Sequence, residues 1–354
     1  MNANCTTMIP LSTSKALRIS MIYNLTVALM GLPLFTWASW KLWKGTFAKM
    51  FHKNIRFIIQ MHLFGFILHC CGRIVLHSLD LYNYMLSDPC EMIPNIYRCF
   101  IFRLMYNSGM WITTCTAIPL IIERSIATYL RGRYENKYTW LGMLAFLQSI
   151  HNIWMSHDFV QFRKCDNFRP CLAAVPLYFA YANLKFDGVF MPYCSIYKPG
   201  SPTIANINSV VAIVSQILAR GIFGYLFHLN KKYRTIMQNS NLSTRFQLEQ
   251  NKNSFHCLKI YANTSTIFLV TQIGSFMWLL DASREMYWQN YLALMELNCQ
   301  FPAYGILTIG LVTYRIAKVR NQIHSNLNAQ RNLDGKHAYF LNFNQQIGTE
   351  QSRF

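Results

Sequence analysis

The strongest constraint on this chain is a series of long apolar runs, separated by short segments that hold most of the charges. About 20 mostly apolar residues are enough for a helix to cross a lipid bilayer. Charged residues make up only 13% of the chain, whereas soluble domains carry about 25%. The sequence therefore predicts an all-α membrane protein. Six spans follow directly from the pattern: 19–40, 57–79, 100–122, 206–229, 260–280 and 291–313.

A further span lies between the third and fourth of these runs, where the apolar pattern is interrupted. Residues 140–150 are apolar but too short to cross a bilayer, and a polar, charged stretch follows them. Either 140–150 joins 172–181 into one span, with 151–171 as an insertion, or a weaker span covers 140–160. We favour the insertion, which could also be a gene-model artefact. Both alternatives predict a seven-helix bundle over 19–313.

The charges between the spans predict the orientation of this bundle. Lys and Arg cluster after the first, third, fifth and seventh spans, whereas the segments after the second and sixth are acidic or poor in bases. Basic loops face the cytoplasm. We therefore expect residues 1–18 outside and the tail 314–354 in the cytoplasm. The segment after the fourth span is mixed and weakens this bias if 151–171 is not an insertion. The net charge of +19 is assigned to topology, since no nucleic-acid recognition module is visible.

An acid and a base, Glu123 and Arg124, end the third apolar run. One explanation is structural, because a cation at a helix C-terminus is favoured by the helix dipole and by lipid phosphates. The other is a switch, in which Arg124 is held by a neighbouring group and released when the bundle opens. The pair alone does not decide between them.

Longer strings around this pair resemble one receptor family. ERSIATYLRGRYE at 123–135 is similar to the ER-x-x-AT-x-x-x-x-x-YE signature of nematode serpentine chemoreceptors of the alpha, beta, alpha/beta and epsilon classes. NLSTRFQLEQN at 241–251 resembles their third-cytoplasmic-loop pattern, with Gln250 where an acid is usual. Stretches at 62–84, 88–100 and 186–202 resemble the alpha/beta class best. The resemblance covers about 17–345, and nothing in it fits 151–171.

The resemblance implies a chemosensory G-protein-coupled receptor that binds a small external chemical and activates a heterotrimeric G protein. It implies a multi-pass protein in the plasma membrane of sensory neurons and their cilia, with a role in sensory perception such as olfaction. No cofactor is implied, and homo- or hetero-dimerisation is left open. The residues expected to act in the switch or to face the Gα subunit are Glu123, Arg124, Tyr134, Glu135, Arg245, Gln247 and Glu249.

Two extracellular modifications are also expected. Cys99 begins the third span and Cys194 precedes the fifth, so both would meet an oxidising compartment, where thiols tend to pair. A Cys99–Cys194 disulfide would tie a loop to a helix end, as in most seven-helix receptors. Cys90 competes for this pairing, and Cys5, Cys165 and Cys171 add alternatives. Asn4 lies in an outer Asn-x-Thr sequon and is the expected glycosylation site.

Charged residues inside the spans are candidates for a ligand pocket. A charge at membrane depth costs a few kcal/mol and therefore faces the bundle interior or extends to the interface. Arg73 and Arg103 either line a ligand vestibule or extend to the outer surface. Glu296 lies about two turns into the seventh span. It is either a pocket residue, paired with an arginine, or part of a hydrogen bond between helices.

Other function classes find little support in the sequence. Metalloprotease, Walker and GxSxG motifs are absent, and the ten histidines lack metal-ligand spacing. We expect no enzyme and no metal site. A ligand-gated seven-span channel of inverted topology is the alternative, and the side of the membrane reached by Asn4 and by 314–354 discriminates it. A transporter would show inverted repeats, which we do not find.

Overall fold

The computed structural model describes residues 3–44, 51–88, 96–130, 193, 202–236 and 242–332. Helices account for nearly all of these residues and none lies in a strand, which confirms the all-α prediction for this part of the chain. The fourth span and the region 151–171 lie outside the described residues. The helices are α1 (Ala3–Thr13), α2 (Lys15–Trp43), α3 (Lys53–Leu86), α4 (Ile96–Cys115), α5 (Ala117–Leu130), α6 (Pro202–Ile236), α7 (Leu242–Ala282), α8 (Trp288–Asn298) and α9 (Phe301–Asn332).

Within the part of the chain that the structure describes, four helical segments are long and apolar enough to cross a membrane. These segments are Lys15–Trp43, Lys53–Leu86, Ser209–Ile236 and Ser254–Ala282. They contain the predicted spans 19–40, 57–79 and 260–280 in full. They also contain the predicted span 206–229 apart from its first three residues. Large apolar side chains on α6 are exposed, among them Val211, Ile217 and Leu218. Such a face is typical of a helix that contacts lipid.

The N-terminal residues form a short helix where the sequence indicated only a tail. α1 is separated from α2 by Ser14, whose Oγ accepts a hydrogen bond of 3.3 Å from the backbone N of Leu17 and caps α2. Arg18 donates to the carbonyl of Ser12 at 2.8 Å and to that of Tyr84 at 3.1 Å. Arg18 of α2 therefore links the end of α1 to the end of α3 through hydrogen bonds.

Buried apolar side chains place this short helix over one end of the bundle. Met8 and Leu11 of α1 pack in a cluster with Tyr193, with Tyr84 of α3 and with Tyr291 of α8. All five side chains are buried. Apolar burial of this kind is the main favourable term that holds such an element in place.

Helices α3 and α4 approach closely enough for their backbones to touch. A Cβ atom added at Gly65 would lie 2.5 Å from Thr113 Oγ1 and 2.8 Å from the carbonyl of Gly109. One added at Gly109 would lie 2.6 Å from the backbone N of His69. Only glycine permits this spacing without a shift of the backbone. The close contact brings polar side chains of α3 and α4 within reach of one another.

The third predicted span, 100–122, is interrupted at Thr116, between α4 and α5. Pro119 lacks an N–H, so the carbonyl of Cys115 loses its helical partner. The hydroxyl of Thr116 donates to the carbonyl of Thr113 at 2.7 Å. Proline and an inward hydroxyl together account for the break.

The seventh predicted span, 291–313, is also interrupted, at Cys299 and Gln300 between α8 and α9. Pro302 follows at the second position of α9, where a missing N–H is tolerated. The carbonyls of Glu296 and Cys299 are turned toward side chains of other helices, as described below. This break therefore supplies two backbone acceptors inside the bundle.

Candidate functional site

Four polar side chains surround the carboxylate of Glu296, which belongs to α8: Arg73 and His77 of α3, Arg103 of α4, and Tyr193. We call these four residues and Glu296 the Glu296 cluster. Glu296 Oε2 lies 3.1 Å from Arg73 Nη2 and 3.4 Å from His77 Nε2. Glu296 Oε1 accepts from both Nη atoms of Arg103 at 3.2 Å and from the Tyr193 hydroxyl at 2.7 Å. Side chains of α3 and α4 and the Tyr193 hydroxyl thus all contact the one carboxylate of α8.

The break after α8 fixes the position of this carboxylate. Arg73 Nη1 donates to the carbonyl of Cys299 at 2.7 Å, and Asn24 Nδ2 of α2 donates to that of Glu296 at 2.8 Å. In an unbroken helix these carbonyls would accept from backbone N–H groups four residues later. The interruption therefore lets α2 and α3 hold the backbone that carries Glu296.

Both arginines also contact one aromatic ring. The Tyr106 ring of α4 lies 5.4 Å from the guanidinium carbon of Arg73 and 4.9 Å from that of Arg103. The backbone carbonyl of Tyr106 is 3.0 Å from His69 Nδ1, and the Tyr106 hydroxyl is 3.3 Å from Cys299 Sγ. Cation–π contacts of about 0.5–2 kcal/mol each orient both guanidinium groups.

The Glu296 cluster is almost closed to solvent. The side chains of Arg73 and Glu296 are 1% and 3% exposed, and that of Arg103 is 10% exposed. Burial raises the pKa of the Tyr193 phenol well above its usual value, and the charge of Glu296 adds to this effect. Tyr193 is therefore a neutral hydrogen-bond donor. Asp80, one turn from His77 on α3, is also buried, and its charge acts on Tyr193.

The three residues that the sequence suggested for a ligand pocket, Arg73, Arg103 and Glu296, lie together in this cluster. Arg73 is directed into the bundle and not to the outer surface, because its polar contacts are with α8 and the break that follows it. Sequence reasoning did not find Tyr193 or assign a partner to His77. The spacing of His77 four residues after Arg73 puts both on one helix face, which is the signal available for His77.

A second group of polar contacts surrounds Arg124, and we call it the Arg124 cluster: Glu123, Arg124 and Thr128 of α5, Asn230 of α6, and Asn251 and Phe255 of α7. Arg124 donates to its neighbour Glu123 through Nε at 2.5 Å and Nη2 at 2.7 Å. Its Nη1 donates to Asn251 Oδ1 at 3.3 Å. The guanidinium carbon lies 5.7 Å from the Phe255 ring. Arg124 is therefore buried between α5 and α7.

The same cluster joins α6 to α5. The Thr128 hydroxyl donates to the carbonyl of Arg124 at 2.7 Å and accepts from Asn230 Nδ2 at 2.7 Å. Because Asn230 and Asn251 lie on different helices, the last turns of α5 are held from two sides. Contacts of this kind can be exchanged as a set when helices move apart.

A third polar contact lies at the break of the third span. His62 Nδ1 of α3 is 2.8 Å from Thr116 Oγ1 and 3.0 Å from the Tyr261 hydroxyl of α7. It links α3, the α4–α5 junction and α7 at one point. The junction lies between Arg103 and Arg124 in the chain, so a change in its angle would act on both clusters.

Several predicted site residues are described only in part or not at all. Arg245, Gln247 and Glu249 lie in the first turns of α7, which makes 242–251 helical and not a loop. Asn4 lies in α1 and Cys99 in α4. Tyr134, Glu135 and Cys194 lie outside the described residues. The Cys99–Cys194 bond, the Asn4 glycan and the roles of the α7 residues therefore stay predictions.

Comparisons with known proteins agree with the resemblance in the sequence. A protein-family model described as serpentine type 7TM GPCR receptor class ab chemoreceptor matches residues 2–167 and 165–348. Serpentine receptor class beta-13 of Caenorhabditis elegans is 22% identical over 343 residues, which is 90% of this chain and 88% of that protein. Serpentine receptor class beta-5 of the same organism is 23% identical over 314 residues, which is 84% of this chain and 81% of that protein.

Proposed function

The chain belongs to the class ab family of serpentine seven-transmembrane chemoreceptors, and we propose that it binds a small external chemical and activates a heterotrimeric G protein. The family is one of G-protein-coupled receptors and not of enzymes, and the chain is a membrane protein. Ligand identity and coupling are the proposed part of this function. A location in the plasma membrane of sensory neurons and their cilia is proposed with it.

The contact that carries the proposal is the bond between Arg124 and Asn251. It joins α5 to α7 next to the family signature at 123–135. Because Arg124 is charged and buried, it must keep a polar partner or reach water. An arrangement in which α7 moves away from α5 would lose this bond and release Arg124 from α7, while its bonds to Glu123 on the same helix are kept. The described arrangement is then the resting state, and binding of Gα favours the released one.

The surface proposed to meet the Gα subunit is formed by the segments on either side of this bond. It comprises Tyr134 and Glu135 after α5, together with Arg245, Gln247 and Glu249 at the start of α7. The excess of Lys and Arg in the segments after the odd-numbered spans supports a cytoplasmic position for this end of the bundle.

The ligand site is proposed at the Glu296 cluster. Arg103 and Arg124 are 21 positions apart on the consecutive helices α4 and α5, or about 30 Å at 1.5 Å per residue. A separation of this size along the chain supports a position of the two clusters near opposite faces of a bilayer, whose hydrocarbon core is about 30 Å thick. Ligand would act on Arg103 at one end, and the Thr116 break would pass the change to α5.

Basal G-protein activation by single variants tests the coupling. Asn251→Ala removes the hydrogen bond to Arg124, and a hydrogen bond to a charged group contributes about 1.5–3 kcal/mol. We expect basal nucleotide exchange to rise by roughly 10–150-fold where the resting state dominates. Arg124→Ala is expected to abolish exchange above background, because the released guanidinium is the group proposed to engage Gα.

The matched control for Asn251→Ala is Asn263→Ala in the same helix. The Oδ1 atom of Asn263 has no hydrogen-bond partner among the described residues, so its removal should leave basal exchange unchanged. Equal exchange rates for wild type, Asn251→Ala and Asn263→Ala at equal surface expression would contradict the proposed switch.

A further inference from the structure

A group of bases and tryptophans lies where α2 ends and α3 begins. The segment 41–56 contains five bases and no acid, and the first acidic residue of the chain is Asp80. Asp80 lies 24 positions after Arg56 in the same helix α3, which is about 36 Å along its axis. The positive charges of this segment therefore have no acid close to them in the sequence.

Three of these bases lie on indole rings, and we call them and the two tryptophans the basic–tryptophan patch: Trp40, Lys41, Trp43, Lys44 and Arg56. The ammonium groups of Lys41 and Lys44 lie 4.9 and 5.0 Å from the centre of the Trp40 ring. The guanidinium carbon of Arg56 lies 5.0 Å from the centre of the Trp43 ring. Cation–π attraction holds each cation at its ring, so the three charges have defined positions.

Hydrogen bonds to Gln60 join the two sides of the patch. Gln60 Oε1 of α3 accepts from Trp43 Nε1 at 3.1 Å, and Gln60 Nε2 donates to Ser39 Oγ of α2 at 2.6 Å. The Trp43 ring also packs edge-on against Phe57, with ring centres 4.9 Å apart. The end of α2 is therefore fixed to the start of α3, which keeps Arg56 beside Trp43.

The patch combines exposed apolar rings with polar groups. Trp37 and Trp40 are 42% and 52% exposed, and Lys44 is exposed. These three residues are spaced i, i+3 and i+7, which places them on one face of α2. Arg56 Nε is buried and has no hydrogen-bond partner among the described residues. Tryptophan rings next to bases are typical of a helix end at the membrane interface, where a lipid offers both a phosphate and acyl chains.

The patch lies at the same end of the bundle as the Arg124 cluster. The contact between His62 of α3 and Thr116 sets a common level for the antiparallel helices. Arg56 lies six residues before His62, and Arg124 eight residues after Thr116, so both are within about 12 Å of that level. Glu123, the acid that α5 brings to this end, is bonded to Arg124.

We propose that the basic–tryptophan patch binds an anionic phospholipid of the adjacent leaflet. The lipid phosphate contacts the ammonium groups of Lys41 and Lys44 and the guanidinium of Arg56. The acyl chains lie along Trp37 and Trp40. A zwitterionic lipid is disfavoured, because its own positive charge opposes the three cations. With the orientation proposed above, this leaflet is the cytoplasmic one, which carries the anionic lipids.

The test measures lipid binding by the purified full chain in a neutral detergent, without a G protein, so its result does not depend on the proposed coupling. Native mass spectrometry gives the apparent Kd of three probes that contain a phosphate: dioctanoyl phosphatidylglycerol, dioctanoyl phosphatidylcholine and glycerol 1-phosphate. We expect phosphatidylglycerol to bind at least about tenfold more tightly than phosphatidylcholine. Glycerol 1-phosphate, which has no acyl chains, should not bind at concentrations where phosphatidylglycerol saturates.

Matched pairs of substitutions assign this preference to the patch. A base near an anionic lipid surface contributes about fivefold in affinity, so Lys41→Gln/Lys44→Gln should weaken phosphatidylglycerol binding by roughly 25-fold. The control is Lys231→Gln/Lys232→Gln, which removes the same charge from two exposed lysines near the end of α6. It should change the Kd by less than about twofold.

Two single variants separate a built site from a general attraction between bases and anionic lipid. Trp40→Leu keeps both lysines but removes the ring that positions them, and should weaken phosphatidylglycerol binding by about two- to fivefold. Arg56→Gln should weaken it by about fivefold. The affinity for phosphatidylcholine should stay within about twofold of wild type in every variant, which shows that the bundle remains folded.

Three results would each overturn the proposal. The first is equal affinity for phosphatidylglycerol and phosphatidylcholine. The second is binding of glycerol 1-phosphate as tight as that of phosphatidylglycerol, which would indicate a site for soluble phosphate. The third is an equal effect of the two lysine pairs on phosphatidylglycerol binding, which would mean that the bases act only through their charge.

Discussion

Replacing Glu296 with Gln tests the electrostatic core of the fold. The substitution keeps the size of the side chain and removes its charge, so Arg73 and Arg103 lose their shared carboxylate while both stay buried. Breaking one buried ion pair by removing a partner costs about 3–5 kcal/mol. Glu296 pairs with two guanidinium groups at 3.1 and 3.2 Å, so we expect a loss at or above the upper end of this range.

This loss is large on the scale of protein stability. Each 1.4 kcal/mol changes an equilibrium constant about tenfold, so a loss of about 5 kcal/mol shifts the unfolding equilibrium by several thousandfold. The free energy of unfolding would be measured on receptor purified into lipid nanodiscs or mixed micelles, with a denaturing detergent as the titrant. Glu285→Gln is the control, because Glu285 is exposed and its substitution should change the free energy by less than about 0.5 kcal/mol.

A double-mutant cycle identifies the cause of the loss. Arg103→Gln in the Glu296→Gln background removes one of the two guanidinium charges that Glu296 no longer neutralises. The double variant should therefore lose less stability than the sum of the single variants, by at least about 1 kcal/mol. Strict additivity, or a Glu296→Gln variant as stable as Glu285→Gln, would refute the view that Glu296 is the counter-ion of both arginines.

Two further stability predictions use the same unfolding assay. Gly109→Ala should destabilise the fold by about 1–3 kcal/mol because its Cβ would meet the backbone of α3. At Gly221 of α6 an added Cβ meets no described residue within 4 Å, so Gly221→Ala should be neutral or stabilising by up to about 1 kcal/mol. Equal effects of the two substitutions would contradict the close α3–α4 contact. Thr116→Val should cost about 1–3 kcal/mol because it removes the hydroxyl that contacts His62. Thr271→Val, at an exposed position of α7, should change little, and the same loss at both sites would argue against the His62 contact.

The apolar pattern predicted the helices well because it reports local properties. An apolar run of about 20 residues has one stable form in lipid, so α2, α3, α6 and α7 follow from composition. Charge at membrane depth also singled out Arg73, Arg103 and Glu296, because such residues must face polar partners.

The sequence did not reveal the contacts that depend on distant parts of the chain. Arg124 and Asn251 are 127 positions apart, and no periodic pattern links them. Tyr193 lies in a segment without a helical period, so its contact with Glu296 could not be inferred. The helix α1 was missed because Met8 and Leu11 belong to a short apolar run that contains Pro10, in an otherwise polar stretch. They are buried only because α3 and α8 present a surface to them.

The most direct test of the account is the side of the membrane on which the two ends of the chain lie. Antibody binding to an epitope tag before Met1 and to another after Phe354 would be measured in intact and in permeabilised cells. We expect the first tag to be bound in intact cells and the second only after permeabilisation, with the Arg124 cluster at the cytosolic end. The reverse pattern would contradict coupling through Arg124 and would favour a channel of inverted topology.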